Sequence, residues 1–110
     1  MNWTNEEKLS LMRVLGDIIH ADGRVADNEM DYITQLSFKI GFTPEHVPEA
    51  MKRNVDICLG VLNNMSNEKK VALNIMMMEM IEADGDRDQN EVDIWYAVVK
   101  RLGIDKLYKR

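Results

Sequence analysis

The sequence predicts an all-α fold, a compact single-domain bundle of about six or seven helices with an internal pseudo-two-fold repeat. Three observations predict it. Apolar residues recur at helical spacing along most of the chain, and no run alternates with period two. Two acidic turns of one pattern, residues 19–29 and 81–91, lie 62 residues apart and align without a gap. The chain has 110 residues, 45% of them hydrophobic, which suits one domain with a real core and argues against disorder.

The first helix starts at Thr4, and Glu7 three residues on completes a capping box. Leu9, Leu11, Met12, Val14, Leu15, Ile18 and Ile19 form its apolar face. Glu6, Ser10, Arg13, Asp17 and His20 lie on the opposite side, expected to be solvated. The helix is expected to end at Ala21 or Asp22, because Gly23 suits a turn with positive φ. A second helix follows Ala26, with Met30, Ile33, Leu36 and Ile40 as its buried stripe and Gly41 as its stop. Thr43-Pro44 opens a short helix to about Arg53, since proline fits the first helical position. Another short helix runs from about Val55 to Asn63, with Ile57, Cys58, Val61 and Leu62 as its apolar face.

Ser66 caps the fifth helix as Thr4 caps the first, but Lys69 stands where the box needs its glutamate. Val71, Leu73, Ile75, Met76, Met77, Met78, Met80 and Ile81 surround that helix with apolar groups. Such a helix is buried on most sides, so residues 67–83 are expected at the centre of the bundle. The sixth helix spans 89–102, with Val92, Trp95, Val98, Val99 and Leu102 inward and Gly103 ending it. Leu107 and Tyr108 in the short basic tail are able to dock back.

The repeat runs beyond the turns. Asn5-Glu6 matches Asn67-Glu68, Lys8 matches Lys70, Leu11 matches Leu73, Asp31 matches Asp93, and Ile40-Gly41 matches Leu102-Gly103. The chain therefore divides into repeat A (4–41), connecting helices (44–63) and repeat B (66–103), with two similar hairpins pressing their apolar sides together.

Charge narrows the function classes. The net charge of −5 argues against nucleic-acid binding, which needs a basic field. Residues 79–93 hold seven acidic groups and one arginine, whereas five basic groups follow from Lys100 onward. The acidic start lacks a signal-peptide core, and the apolar runs are too short to span a membrane. The expectation is a soluble cytoplasmic protein, with an anionic membrane surface as an alternative partner for the basic tail. Cys58 is alone, so it forms no internal disulfide and is expected to pack in the core.

Two copies of Ala-Asp-Gly, each followed by a helix-opening stretch ending in Glu and a helix closed by a Gly, carry a resemblance. They read Ala21-Asp22-Gly23 to Glu29 with Ile40-Gly41, and Ala83-Asp84-Gly85 to Glu91 with Leu102-Gly103. On these residues the chain resembles the tellurite-resistance TerB-like family, which also occurs as the N-terminal part of DnaJ-like membrane co-chaperones. The resemblance implies a bacterial helical bundle without catalytic activity, linked to metal or oxyanion stress and to membrane-associated complexes. It also implies acidic cation sites. Ala26 departs from the pattern, where a capping Ser, Thr or Asp is usual, so the weight falls on the second turn.

Three readings of the turns stay open. Asp84, Asp86, Asp88 and Glu91 offer clustered hard oxygens for Ca²⁺ or another divalent cation, and Asp22, Asp27 and Glu29 offer a poorer set. An EF-hand loop is excluded, because Gln89 and Trp95 stand where that loop needs Gly and Glu. Alternatively, Asp88 with Glu91 is a capping box in form and Asp84 serves an Asx-type turn, with no metal. The third reading is a basic protein partner docked on the acidic face. His20 is a weaker candidate for a transition metal, His46 is expected to be solvated, and part of the Met76–Met80 run is a candidate partner groove. The function expected is a non-enzymatic binding or scaffold module with an unidentified protein partner. A metal-dependent enzyme is the rival class, and a self-associating structural protein the third.

Overall fold

A computed structural model of the chain describes residues 1–21, 23, 27–83 and 88–108, apart from the side chain of Pro44. Its first helix, α1 (Asn5–Ile19), opens on a reciprocal cap: Glu7 N donates to Thr4 Oγ1 at 3.1 Å and Thr4 N donates to Glu7 Oε1 at 2.9 Å. The next is α2 (Asp27–Ile40), closed by Gly41 at φ +87°. A 3-10 turn (Pro44–His46) leads into α3 (Val47–Met51), so the helix expected after Thr43 is split and ends early. Asn54 caps α4 (Val55–Asn63), and Ser66 caps α5 (Asn67–Glu82). Asp88 caps α6 (Gln89–Leu102), Gly103 closes it at φ +68°, and α7 (Ile104–Leu107) ends the bundle. Among the described residues there is no strand, and none of the helices is long and apolar enough to cross a membrane. The radius of gyration, 12.9 Å, is that of a tightly folded chain of this length, for which about 13 Å is usual.

The two hairpins correspond element by element. Adding 62 to the bounds of α2, 27 and 40, gives 89 and 102, the bounds of α6. Leu11, Leu15 and Ile18 of α1 are fully buried, and so are Leu73, Met77 and Met80, their counterparts at the same offset on α5. Ile104 is likewise buried, and Tyr108 accepts a hydrogen bond from Asn74 Nδ2 at 3.1 Å, so the tail docks as expected.

The centre of the bundle is α1, not α5 as its apolar circumference suggests. It packs against α3, α4, α5 and α6. On α5, Ile75 and Met78 remain 48% and 47% exposed. The cause lies on the side of α1 expected to face water. Ser10 is buried there, and a Cβ on Gly16 would collide with Met51 Sδ, so the missing side chain leaves room for the Met51 side chain of α3. Arg13 completes the contact. Its Nη1 donates to the carbonyls of Met51 at 2.8 Å and Arg53 at 2.6 Å, and its Nε donates to Asp17 at 3.2 Å. The Met51 carbonyl ends α3 and lacks a helical partner of its own, and the Arg53 carbonyl lies just beyond the helix.

Two apolar stripes are narrower than expected. Met30 is 41% exposed, because α2 packs on α5 and the 3-10 turn and leaves its first stripe residue outside. Ile57 is exposed because α4 turns Cys58 and Leu62 toward the core instead. Tyr32 ties α2 to α5 by a hydrogen bond with Glu79. Burial, then the charge of Glu79 and that hydrogen bond, push the phenol's pKa well above its ordinary value.

Lys69 breaks the capping-box pattern for a reason visible here. Its Nζ lies 2.7 Å from Glu7 Oε1 and 5.6 Å from the Trp3 ring centroid. Glu7 and Lys69 are the same position of the two repeats, 62 residues apart, and they meet each other. Burial opposes the charge of Glu7, but hydrogen bonds from Lys69 and Thr4 and the charge of Lys69 outweigh it and hold the pKa below 4.5. A folded-state pKa below the unfolded one gives stability that is present above the unfolded value and lost as the pH falls through the folded value.

Reversing one charge, Glu7→Lys or Lys69→Glu, should cost about 1–2 kcal/mol in urea unfolding at pH 7, and the double exchange should recover most of it. The stability difference between the native chain and Glu7→Gln should shrink on acidification below pH 4.5, measured by the same unfolding curves.

Candidate functional site at the helix elbows

Each hairpin has an acidic elbow between its helices, and its described residues include Gly23, at φ +78°, in the first and the start of the second helix in both. Asp88 Oδ1 accepts from Asn90 N at 2.8 Å and Glu91 N at 3.3 Å, satisfying two amides that have no helical partner. Glu91 is withdrawn from solvent, 2% exposed. Its counterpart Glu29 is 3% exposed. Each is the third residue of its helix, where a carboxylate gains from the positive end of the helix dipole. Asp27, by contrast, is exposed at the head of α2, in the place Gln89 takes in α6.

Of the seven candidate ligands, Asp88 and Glu91 are thus brought together at α6, and Asp27 and Glu29 share the first turn of α2. Asp22, Asp84 and Asp86 lie outside the described residues. Among the described residues no three His, Cys, Asp or Glu side chains converge as a metal set.

The other candidates have definite places. His20 Nδ1 lies 2.7 Å from the Gly16 carbonyl oxygen. A carbonyl only accepts, so in the neutral ring Nδ1 carries the proton and Nε2 is left as an acceptor. His46 is exposed, 3.5 Å from Thr43 Oγ1. Met77 and Met80 are core, and Met78 alone of the methionine run is exposed. Cys58 is buried, as expected for packing. In the tail, Lys100 pairs with Asp105 at 2.9 Å and Arg101 with Asp56 at 3.5 Å, which leaves less free positive charge than the sequence suggests.

Near each elbow the helices border a hollow that is partly open to solvent, which the sequence did not announce. In repeat B it has a volume of about 100 Å³ and is lined by Met78, Ile81, Glu82, Val92 and Trp95. In repeat A the hollow measures about 460 Å³. Subtracting 62 from the five repeat-B positions gives Gly16, Ile19, His20, Met30 and Ile33, and all five line the larger hollow. Met12 of α1 and Val47 and Pro48 of α3 complete its walls. Trp95 is held by its Nε1, which donates to Asn74 Oδ1 at 2.8 Å. The one signal in the sequence was Gly16 standing opposite Met78 in the repeat.

No family model and no curated protein matches the chain. Among solved structures it is similar to the crystal structure of a protein of unknown function, PG1108, from Porphyromonas gingivalis W83. The TM-score is 0.75 at 19% identity, over 94% of this chain and 87% of that one. At that identity the likeness establishes the fold.

Replacing the cap separates its charge from its geometry. Asp88→Ala should lower the melting temperature by the equivalent of about 1 kcal/mol, while Asp88→Asn, which still caps, should lose only a few tenths. Both are read from thermal melts in the presence of a chelator.

Proposed function

We propose that this chain is a non-enzymatic, TerB-like binding module of a bacterial metal- or oxyanion-stress system, acting in the cytoplasm. Its second elbow takes a hard divalent cation such as Ca²⁺. The observation that carries this reading is the burial of Glu91 at the head of α6, 2% exposed, matched by Glu29 at 3% in the first elbow. Withdrawing a carboxylate from water is costly; the contacts of Glu91 and the head of α6 hold it there, and a dication at the elbow would add a further favourable charge beside it. Asp84, Asp86, Asp88 and Glu91 would supply the oxygens, with backbone carbonyls and water completing the shell. The cation would also relieve the mutual repulsion of these carboxylates and join the end of α5 to the start of α6. Asp22, Asp27 and Glu29 make the poorer set, since Asp27 is exposed and Ala26 supplies no cap.

One observation favours a second reading, a protein-interaction domain whose acidic turns are helix caps alone. Asp88 Oδ1 already serves two amides, and a capping aspartate needs no metal.

Calcium decides between them. Saturating Ca²⁺ should raise the melting temperature by several degrees, since ligand at about 100 times its Kd contributes roughly 2.7 kcal/mol. Asp84→Asn combined with Glu91→Gln should abolish the rise. An unchanged melting temperature at millimolar Ca²⁺ would leave the caps-only domain standing.

A further inference from the structure

We infer that the hollow walled by α1, α2 and α3 is a binding site for a small amphiphile, an apolar body with one hydrogen-bond-donating head, for which an ammonium is the best match. The site does not depend on the cation reading. Its size is the first argument. At about 460 Å³ this half-open hollow falls within the roughly 300–1,000 Å³ of small-molecule sites.

The duplication supplies an internal comparison. The same five positions in repeat B leave only about 100 Å³. There Met78 stands for Gly16 and Trp95 for Ile33, so the hairpin fills its own hollow with side chains. In repeat A smaller groups occupy these positions, and α3 roofs the space with Val47 and Pro48 instead of closing it. One copy of the design is filled from within; the other is left to be filled from without. Met30, 41% exposed and unbranched, stands in the wall as an adaptable gate.

The lining sets the chemistry. Met12, Ile19, Met30, Ile33 and Val47 are apolar, and His20 is the polar member. Its Nδ1 is committed to the Gly16 carbonyl at 2.7 Å, so the neutral ring offers a lone pair at Nε2 and selects a donor. Asp27, exposed at the head of α2, precedes Met30, and the chain carries a net charge of −5. These negative charges favour a cationic head and disfavour a carboxylate.

The test uses the full chain with methyl-labelled methionine and isoleucine, titrated with octylammonium, octanol and octanoate. The expected result is a saturable shift of the Met12, Ile19, Met30 and Ile33 methyls by octylammonium and octanol, with octanoate binding about tenfold more weakly. Ile33→Trp, which copies the repeat-B residue, should abolish the response; Met30→Trp at the wall serves if that variant fails to fold. The inference is overturned if those methyls stay unmoved at millimolar ligand, or if the shifts centre on Ile75 and Met78. It is equally overturned if octanoate binds as tightly as octylammonium, or if a folded tryptophan variant binds undiminished.

Discussion

The constraint that orders this bundle is the packing of α1 against neighbours on most of its sides. One side is apolar, with Leu11, Leu15 and Ile18 fully buried, and α5 and α6 pack on the helix. The other side is polar, and it is covered because its polar groups answer a specific need. Arg13 binds the carbonyls that α3 leaves open at its end, and Gly16 gives Met51 room to approach. Hydrogen bonds from a guanidinium contribute more than neutral ones, and leaving the carbonyls unmet would cost a comparable amount. With α3 fixed, α4 follows after a short turn and covers the rest of α1. The connecting helices are therefore structural members of the bundle rather than a linker between two hairpins.

This arrangement makes the hairpins unequal. In repeat B the second helix, α6, packs on α1, α4 and α5. In repeat A, α2 rests on α5 and the 3-10 turn, since α3 and α4 already occupy the flanks of α1. Tyr32, half-buried and bonded to Glu79, is the polar anchor of that looser placement. The hollow beside Gly16 is the space this displacement leaves. The two hairpins match in their helix bounds, and they differ in what their second helices pack against.

Much of this was legible in the chain. Thr4, Ser66, Asn54 and Asp88 are side chains whose capping depends on their near neighbours, so helix starts could be read locally. The bounds of α4 and α6 match their expectation, because Asn63 precedes a turn and Gly103 adopts positive φ. What local pattern does not carry is which side of a helix meets which neighbour. Arg13 looks solvated until the carbonyls of residues 51 and 53 are beside it. The methionines of α5 look buried all round until α1 is found to take the centre. The acidic elbows divide in the same way. The cap at Asp88 was legible from its spacing, whereas the withdrawal of Glu29 and Glu91 from solvent depends on packing that no spacing reports.

The meeting of Glu7 with Lys69 has a bearing on how such a fold is kept as one chain. Equivalent positions that touch lie where a symmetric pair of separate hairpins would bring identical residues face to face. Two copies of the first hairpin alone would oppose carboxylate to carboxylate, and two copies of the second would oppose ammonium to ammonium. Only the mixed pairing is attractive. The covalent tether thus has an electrostatic counterpart: each half selects the other and rejects its own kind, which disfavours association of like hairpins from neighbouring molecules.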